Sequence, residues 1–388
     1  TTEIYTLSLH DALPILKVED IQYSELFPML PYIFCEPNKE NPSEKNQIFH
    51  SNSGAGEFTE QNLEPDAMRI NTNTLDIIGT RMNQIPNAEL TITGTNDNKE
   101  EKSNKSIASK RAEFAKAYLI ENYGINPQRI NIRSTGLPSK ASSSNVPEGV
   151  EENRRIEFSS SSPDLFKPII IKSENQRLAE PNMIEFVPFV NSSDSIIHWE
   201  LDISQSGKNL RTYNGTGDPQ ALSWVIYPNE LINRQIPVDY NFTAKNQGGL
   251  SKIASGTIPV DYYSSTRKKQ EDLPDRTVSK FSLILFDFDK SDVSNADMQI
   301  ILNEIIPAIK FNSVIKIFGY TDKIGDEKYN KELAMRRANA VKTIISDKAK
   351  SAKIEVYGVG EGEFIFDNNS PIGRHLSRTV QVYVITPK

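Results

Sequence analysis

Residues 315–345 read IKIFGYTDKIGDEKYNKELAMRRANAVKTII, and residues 90–120 read LTITGTNDNKEEKSNKSIASKRAEFAKAYLI. Each stretch opens with an alternating apolar run that closes on glycine, Gly319 and Gly94, and each then carries an aspartate in a polar loop, Asp322 and Asp97. Each continues Asn-Lys, two residues, Ala, two residues, Arg-Ala, so Asn330 precedes Arg337 and Asn104 precedes Arg111 by seven positions. Alternation followed by helical apolar spacing predicts a strand and then a helix. A further strand and an arginine-bearing strand follow: Lys353 to Tyr357 with Arg378 to Ile385, and Arg129 to Ser134 with Arg154 to Phe158. Arg337 and Arg378 are 41 residues apart, Arg111 and Arg154 43. Two copies of one α+β unit account for these intervals.

Each copy should begin with its own strand and helix. In the second, FSLILFDF supplies the strand, Ser294 the helix cap, and Leu302, Ile305, Ile306 and Ile309 the buried face, with Pro307 bending or shortening the helix. In the first, LPYIFCEP gives the strand and Leu75, Ile78, Met82 and Ile85 the helix face. The helix from Lys105 to Tyr123 should stop at Gly124.

Between the copies the period becomes two. MIEFVPFV, IIHWELDIS, NLRTYN, ALSWVI, VDYNFTAK and KIASGTIPVDYY read as short strands, with a hairpin turn at Gln205–Lys208 and Trp199 and Trp224 in the core. The expected fold class is multidomain: two α+β domains with mixed sheets and helices on one side, residues 16–165 and 280–388, flank an all-β Ig-like sandwich at 176–265. The serine run Ser159–Ser162 and the segment STRKKQEDLPDR read as linkers.

The first fifteen residues, TTEIYTLSLHDALPI, back-translate codon for codon to a common sequencing adapter and are set aside as a translated artefact. The native N-terminus is then expected upstream, with a barrel or lipid anchor. The 388 residues carry a net charge of −7, which argues against nucleic acid as a partner. No run is long and apolar enough for a membrane helix, and one cysteine, Cys35, excludes an intramolecular disulfide.

GYTDKIGDEKYNKELAMRRANAV, with FDFDKS before it and GVGEGE and GRHLSRTV after it, resembles the OmpA-like peptidoglycan-binding domain. Residues 16–165 resemble the same family in a degenerate form, keeping ENRRIEF but lacking the Thr-Asp-x-x-Gly loop. WELDISQSGKNLRTYNGTGDPQALSW is similar to Ig-like modules of the flagellar hook-capping type. The resemblance implies a stem-peptide ligand containing diaminopimelate, with Asp322 and Arg337 facing one groove as its two charged contacts. Around them it places Thr321, Gly325, Asn330 as helix cap, and Arg378 on the last strand. The weaker site of the first copy is Asp97, Arg111, Asn104 and Arg154.

Helical side chains lean toward the N-terminus, so a guanidinium in the helix can reach back to the loop and grip a carboxylate bidentately. The copies should be unequal. Asp97 stands fourteen residues before Arg111 where Asp322 stands fifteen before Arg337, and Glu100 and Glu101 add acid beside the first site. No catalytic group, cofactor or metal site is expected: the histidines are scattered, and DFDKSDVSNADM lacks the glycine and glutamate of a calcium loop. The expected role is a non-covalent tether between cell wall and outer membrane, on its periplasmic face in a Gram-negative envelope. The alternative is an envelope scaffold whose modules dock protein partners.

Overall fold

The computed structural model describes residues 3–5, 15–43, 45–49, 58–231, 235–284, 286, 290–350, 352–361 and 366–388. The chain divides into two compact units: residues 1–23, 173–278 and 385–388 form one, and residues 24–172 and 279–384 the other.

The first unit is built of strands. Lys208–Gly215, Ile196–Gln205, Val238–Asn246 and Ser251–Ile258 form a four-stranded antiparallel sheet in that order. Met183–Phe186 and Leu222–Val225 form a separate antiparallel pair. Inward-facing residues of both, including Trp199, Leu201, Phe242, Phe186 and Trp224, share one apolar core. At the hairpin, Ser206 and Gly207 both take positive φ, the geometry of a two-residue turn matched to strand twist. Leu16 and Val18 lie in this same core, so the first α+β repeat begins later than residue 16. The segment read as a charged linker holds a helix, Ser265–Gln270, whose buried Lys268 pairs with Glu19 at 2.8 Å. Ion pairing inside the unit orders a stretch whose composition suggested solvent. Glu3–Tyr5 pair with Phe189–Asn191; residues 6–14 of the adapter-like segment lie outside the described residues.

The second unit contains both repeats. In the first, the strand order is Tyr32–Phe34, Arg155–Ser159, Leu90–Gly94, Ile130–Ser134. In the second it is Arg276–Ile284, Thr379–Pro387, Val314–Tyr320, Lys353–Gly360. Each therefore reads first, fourth, second, third, and the second and third strands, the latter at the sheet edge, pair in parallel in both cases. The helices Ile107–Tyr123 and Glu327–Lys348 make those crossovers. Gly124, left-handed at φ 65°, ends the former. Ser294 caps the helix Asn295–Ile300, which passes through a π-turn at Ile301–Ile305 and stops at Ala308, one residue past Pro307. That proline lacks the N–H that would continue the helical ladder.

One packing detail recurs in both repeats. A Cβ on Gly94 would lie 1.7 Å from the Ala108 carbonyl oxygen, and one on Gly319 2.0 Å from that of Ala334. The helix backbone sits directly on the strand end, and this contact fixes where the helix arginines emerge. Gly94→Ala and Gly319→Ala should each destabilise the unit by about 2 kcal/mol or more, since the clash is with backbone that cannot rotate away. Urea unfolding followed by circular dichroism measures this; an unchanged midpoint would refute the packing.

Candidate functional site

At each strand end the helix arginine is held by backbone. Arg111 donates from Nε to the Lys39 carbonyl and from Nη1 to the Thr95 carbonyl, at 3.0 and 2.8 Å. Arg337 repeats this with Lys290 and Tyr320, at 2.9 and 3.2 Å. The guanidinium of Arg337 also lies 4.9 Å from the centre of the Phe286 ring.

The loop aspartates pair with the arginine before the last strand and not with the helix arginine. The Asp322 carboxylate accepts from Nε of Arg378 at 2.6 Å, and Asp97 accepts from Nη1 of Arg154 at 2.9 Å. In both repeats the loop acid is thus paired with the arginine that precedes the last strand. Arg337 still lies at the same strand end, through the Tyr320 carbonyl two residues before Asp322. Arg378 is not in the strand: it caps a short helix, Pro371–Ser377, as Arg154 caps Pro147–Asn153.

Asn330 does not cap its helix. Asp326 does, accepting from the Tyr329 N–H, so the helix starts at Glu327 and Arg337 falls in its third turn. The Asn330 amide instead ties the loop, donating to the Asp322 and Ile324 carbonyls and to Glu361. Gly325 has φ 121°, a conformation that a side chain would strain. Asn104 bonds Asn38 and Ser106 outside its helix, which begins only at Ile107.

That later start separates the two sites. Ten residues before each helix arginine stands a glutamate. Glu327 is in the first helical turn and exposed, whereas Glu101 is in a loop and fully buried. Glu101 folds back on Arg111 with a bidentate pair, 2.8 Å from Nη1 and 2.6 Å from Nη2. Nη2 also donates to the Glu36 carbonyl at 3.1 Å. The five N–H groups of a guanidinium thereby meet five acceptors. Glu100 in turn bonds Arg154 at 3.0 Å. Asp97 is held below the ordinary carboxylate range: burial opposes this, but the N–H groups of Glu101 and Lys99 and the Arg154 guanidinium outweigh it. In the second site Thr321 is 2% exposed, and its hydroxyl has no partner among the described residues; in the first, Arg154 Nε is likewise unpartnered.

A model of the OmpA family matches residues 57–154 and 285–378, one span in each repeat. The chain is an OmpA family protein. It is similar to photosystem I P700 chlorophyll a apoprotein A2 of Gloeobacter violaceus, 34% identical over 112 residues that cover 26% of this chain and 13% of that protein. It is also similar to outer membrane porin F of Pseudomonas fluorescens, 33% identical over 105 residues, 26% of this chain and 32% of the porin. The chain thus spans less than a third of the length of either relative. Among solved structures, the peptidoglycan-associated lipoprotein from Burkholderia pseudomallei is 21% identical, covering 28% of this chain and 89% of that one at a TM-score of 0.22.

The two OmpA repeats are joined through Arg378 and through residues without a role in the sequence reading: Glu152, Ser142, Arg374, His375 and Tyr32. Glu152 of the first repeat is fully buried. Its carboxylate accepts from Ser142 Oγ at 2.5 Å, Arg374 Nε at 2.8 Å, and Arg378 Nη2 at 2.9 and 3.0 Å. Arg374 also pairs with Glu151 at 2.6 Å, and Tyr32 bonds Nδ1 of His375 at 2.8 Å. Ile372 and Leu376 enter the apolar core of the first repeat. A signal for these short helices was present: Pro147 and Pro371 at the first helical position, the latter behind a capping Ser370.

Burial pushes His375 from 6.5 down to about 4, against the pull of the Glu152 carboxylate. Glu152 stays well below the usual carboxylate range because Arg378, above all, outweighs its burial. A neutral imidazole then accepts from the Tyr32 hydroxyl at Nδ1 and donates from Nε2 to Glu152, 3.2 Å away. A base with a depressed folded-state pKa gives stability that is present above its unfolded value and is lost as pH falls through 6.5 toward 4. The loss should reach about 2 kcal/mol between about pH 7.5 and 5, and largely vanish in His375→Gln. Unfolding midpoints across that range measure it, and an NMR titration of His375 near 6.5 would contradict it.

The Glu101–Arg111 pair gives a second test. Glu101→Ala leaves a buried guanidinium uncompensated and should cost about 3–5 kcal/mol. Formate or acetate should restore part of that loss in the variant and none in the parent, read as a shift in melting temperature. An equal response of the two proteins would show that the carboxylate does not fill the site.

Proposed function

We propose that this chain binds peptidoglycan non-covalently, through its second OmpA repeat. The observation that carries the reading is the gathering at one strand end of Thr321, whose hydroxyl has no partner among the described residues, Asp322 paired to Arg378, and Arg337 on the Tyr320 carbonyl. The ligand is the peptide stem, with diaminopimelate offering an ammonium to Asp322 and a carboxylate to Arg337. The first repeat is the weaker binder, because Glu101 already occupies the guanidinium that a ligand carboxylate would need. The similarity to an outer membrane porin supports a Gram-negative envelope location, with this part of the chain on the periplasmic side. There the protein would tether wall to membrane, with the all-β unit, Ig-like in its sequence, as a spacer or docking module.

The full chain should be retained on isolated sacculi and released by competing stem peptide. Asp322→Asn and Arg337→Lys should each weaken retention by about 2–5 kcal/mol if ligand charge is left buried and unpaired. At about 1.4 kcal/mol per factor of ten, that removes a micromolar interaction in practice. Melting temperatures verify that both variants are folded. Folded variants with parental retention would remove the assignment.

A further inference from the structure

We infer that the first repeat is a working part of the second repeat's site, with Glu152 as the residue that positions Arg378; the inference rests on the binding reading above. A continuous chain of charged contacts runs from one repeat to the other. Ser142 and Arg374 hold the Glu152 carboxylate, Glu152 takes Nη2 of Arg378 with both oxygens, and Nε of the same arginine holds Asp322. All three charged groups of this relay are almost completely buried: Glu152 is 0%, Arg378 3% and Asp322 4% exposed. With no water to share the charge, the arginine's place is fixed by the two carboxylates on either side of it.

Among the described residues the first repeat has no counterpart to this arrangement. Arg154, which occupies the position equivalent to Arg378, pairs with Asp97 and Glu100 of its own loop. Position 376, equivalent to Glu152 within the short helix, is a leucine, and it packs into the first repeat's core. The dependence therefore runs one way. The first repeat thus pairs Arg154 within its own loop, and the end of its short helix supplies an anion, Glu152, to its neighbour.

A neighbouring glutamate separates positioning from mere docking. Glu151 pairs with Arg374 at the same interface, and among the described contacts it does not bond Arg378. Glu152→Gln keeps shape and removes charge next to Arg378; Glu151→Gln removes the adjoining pair. In the full chain, with sacculi as probe, Glu152→Gln should weaken retention at least tenfold, while Glu151→Gln stays within twofold of the parent. Protection of the Arg378 Nε proton from exchange, read by NMR without ligand, should fall in the first variant only. Should Glu152→Gln fail to fold, Ser142→Ala loosens the same carboxylate and should weaken retention several-fold. Parental retention in the folded position-152 variant, or in Ser142→Ala where that variant does not fold, overturns the inference; so does an equal loss in both glutamine variants. If the parent chain itself is not retained, the binding reading fails, and the exchange measurement alone decides whether Glu152 positions Arg378.

Discussion

A buried carboxylate must be matched by cations and hydrogen-bond donors or it is not tolerated. Glu152 is such a group, and it is matched by Ser142 from its own repeat and by Arg374, His375 and Arg378 from the other. Its requirement explains why the repeats share one compact unit although more than a hundred residues separate them in sequence. It also accounts for His375, whose neutral ring is held between Tyr32 and Glu152 by burial that disfavours its charged form. Ile372 and Leu376 add apolar burial to the same joint, so charge and packing act on one short helix.

The two sites began from one plan and differ through where a helix starts. In the second repeat Asp326 caps the helix and commits Glu327 to an exposed first turn. In the first repeat the corresponding residues stay non-helical, with Asp97 accepting from the N–H groups of Lys99 and Glu101. That loop turns Glu101 inward onto Arg111. A charge on the helix surface in one repeat is thus an internal occupant in the other. Composition would have counted the two glutamates alike.

The pairing of acids with bases was the least legible part of the sequence. Spacing brought Asp322 and Arg337 to one strand end, and Gly319 and Gly94 marked that end; that the helix backbone sits on these glycines came from the packing. The partner of Asp322 was not visible. Arg378 is 56 residues away, and its reach depends on a short helix whose proline and serine signals are modest. Asn favours the cap position, which points to Asn330, but Asp326 lies at the end of the tight Gly325 turn and accepts from the Tyr329 N–H, so the helix begins four residues earlier than an Asn330 cap would start it.

Sequence by itself determined the local and periodic features. It determined the repeat, the strand-and-helix order within each copy, the alternating strands between them, the buried tryptophans and the glycines that close the repeat strands. These follow from side-chain period and backbone sterics, which act over a few residues and leave a regular trace. Tertiary structure alone decided which charges meet. Glu101 with Arg111, Asp322 with Arg378, and Glu152 with three groups of the other repeat are choices made by burial, because ion pairs become selective only where water is excluded. Which side chains end up there depends on how whole elements pack, and no spacing in the chain encodes that directly.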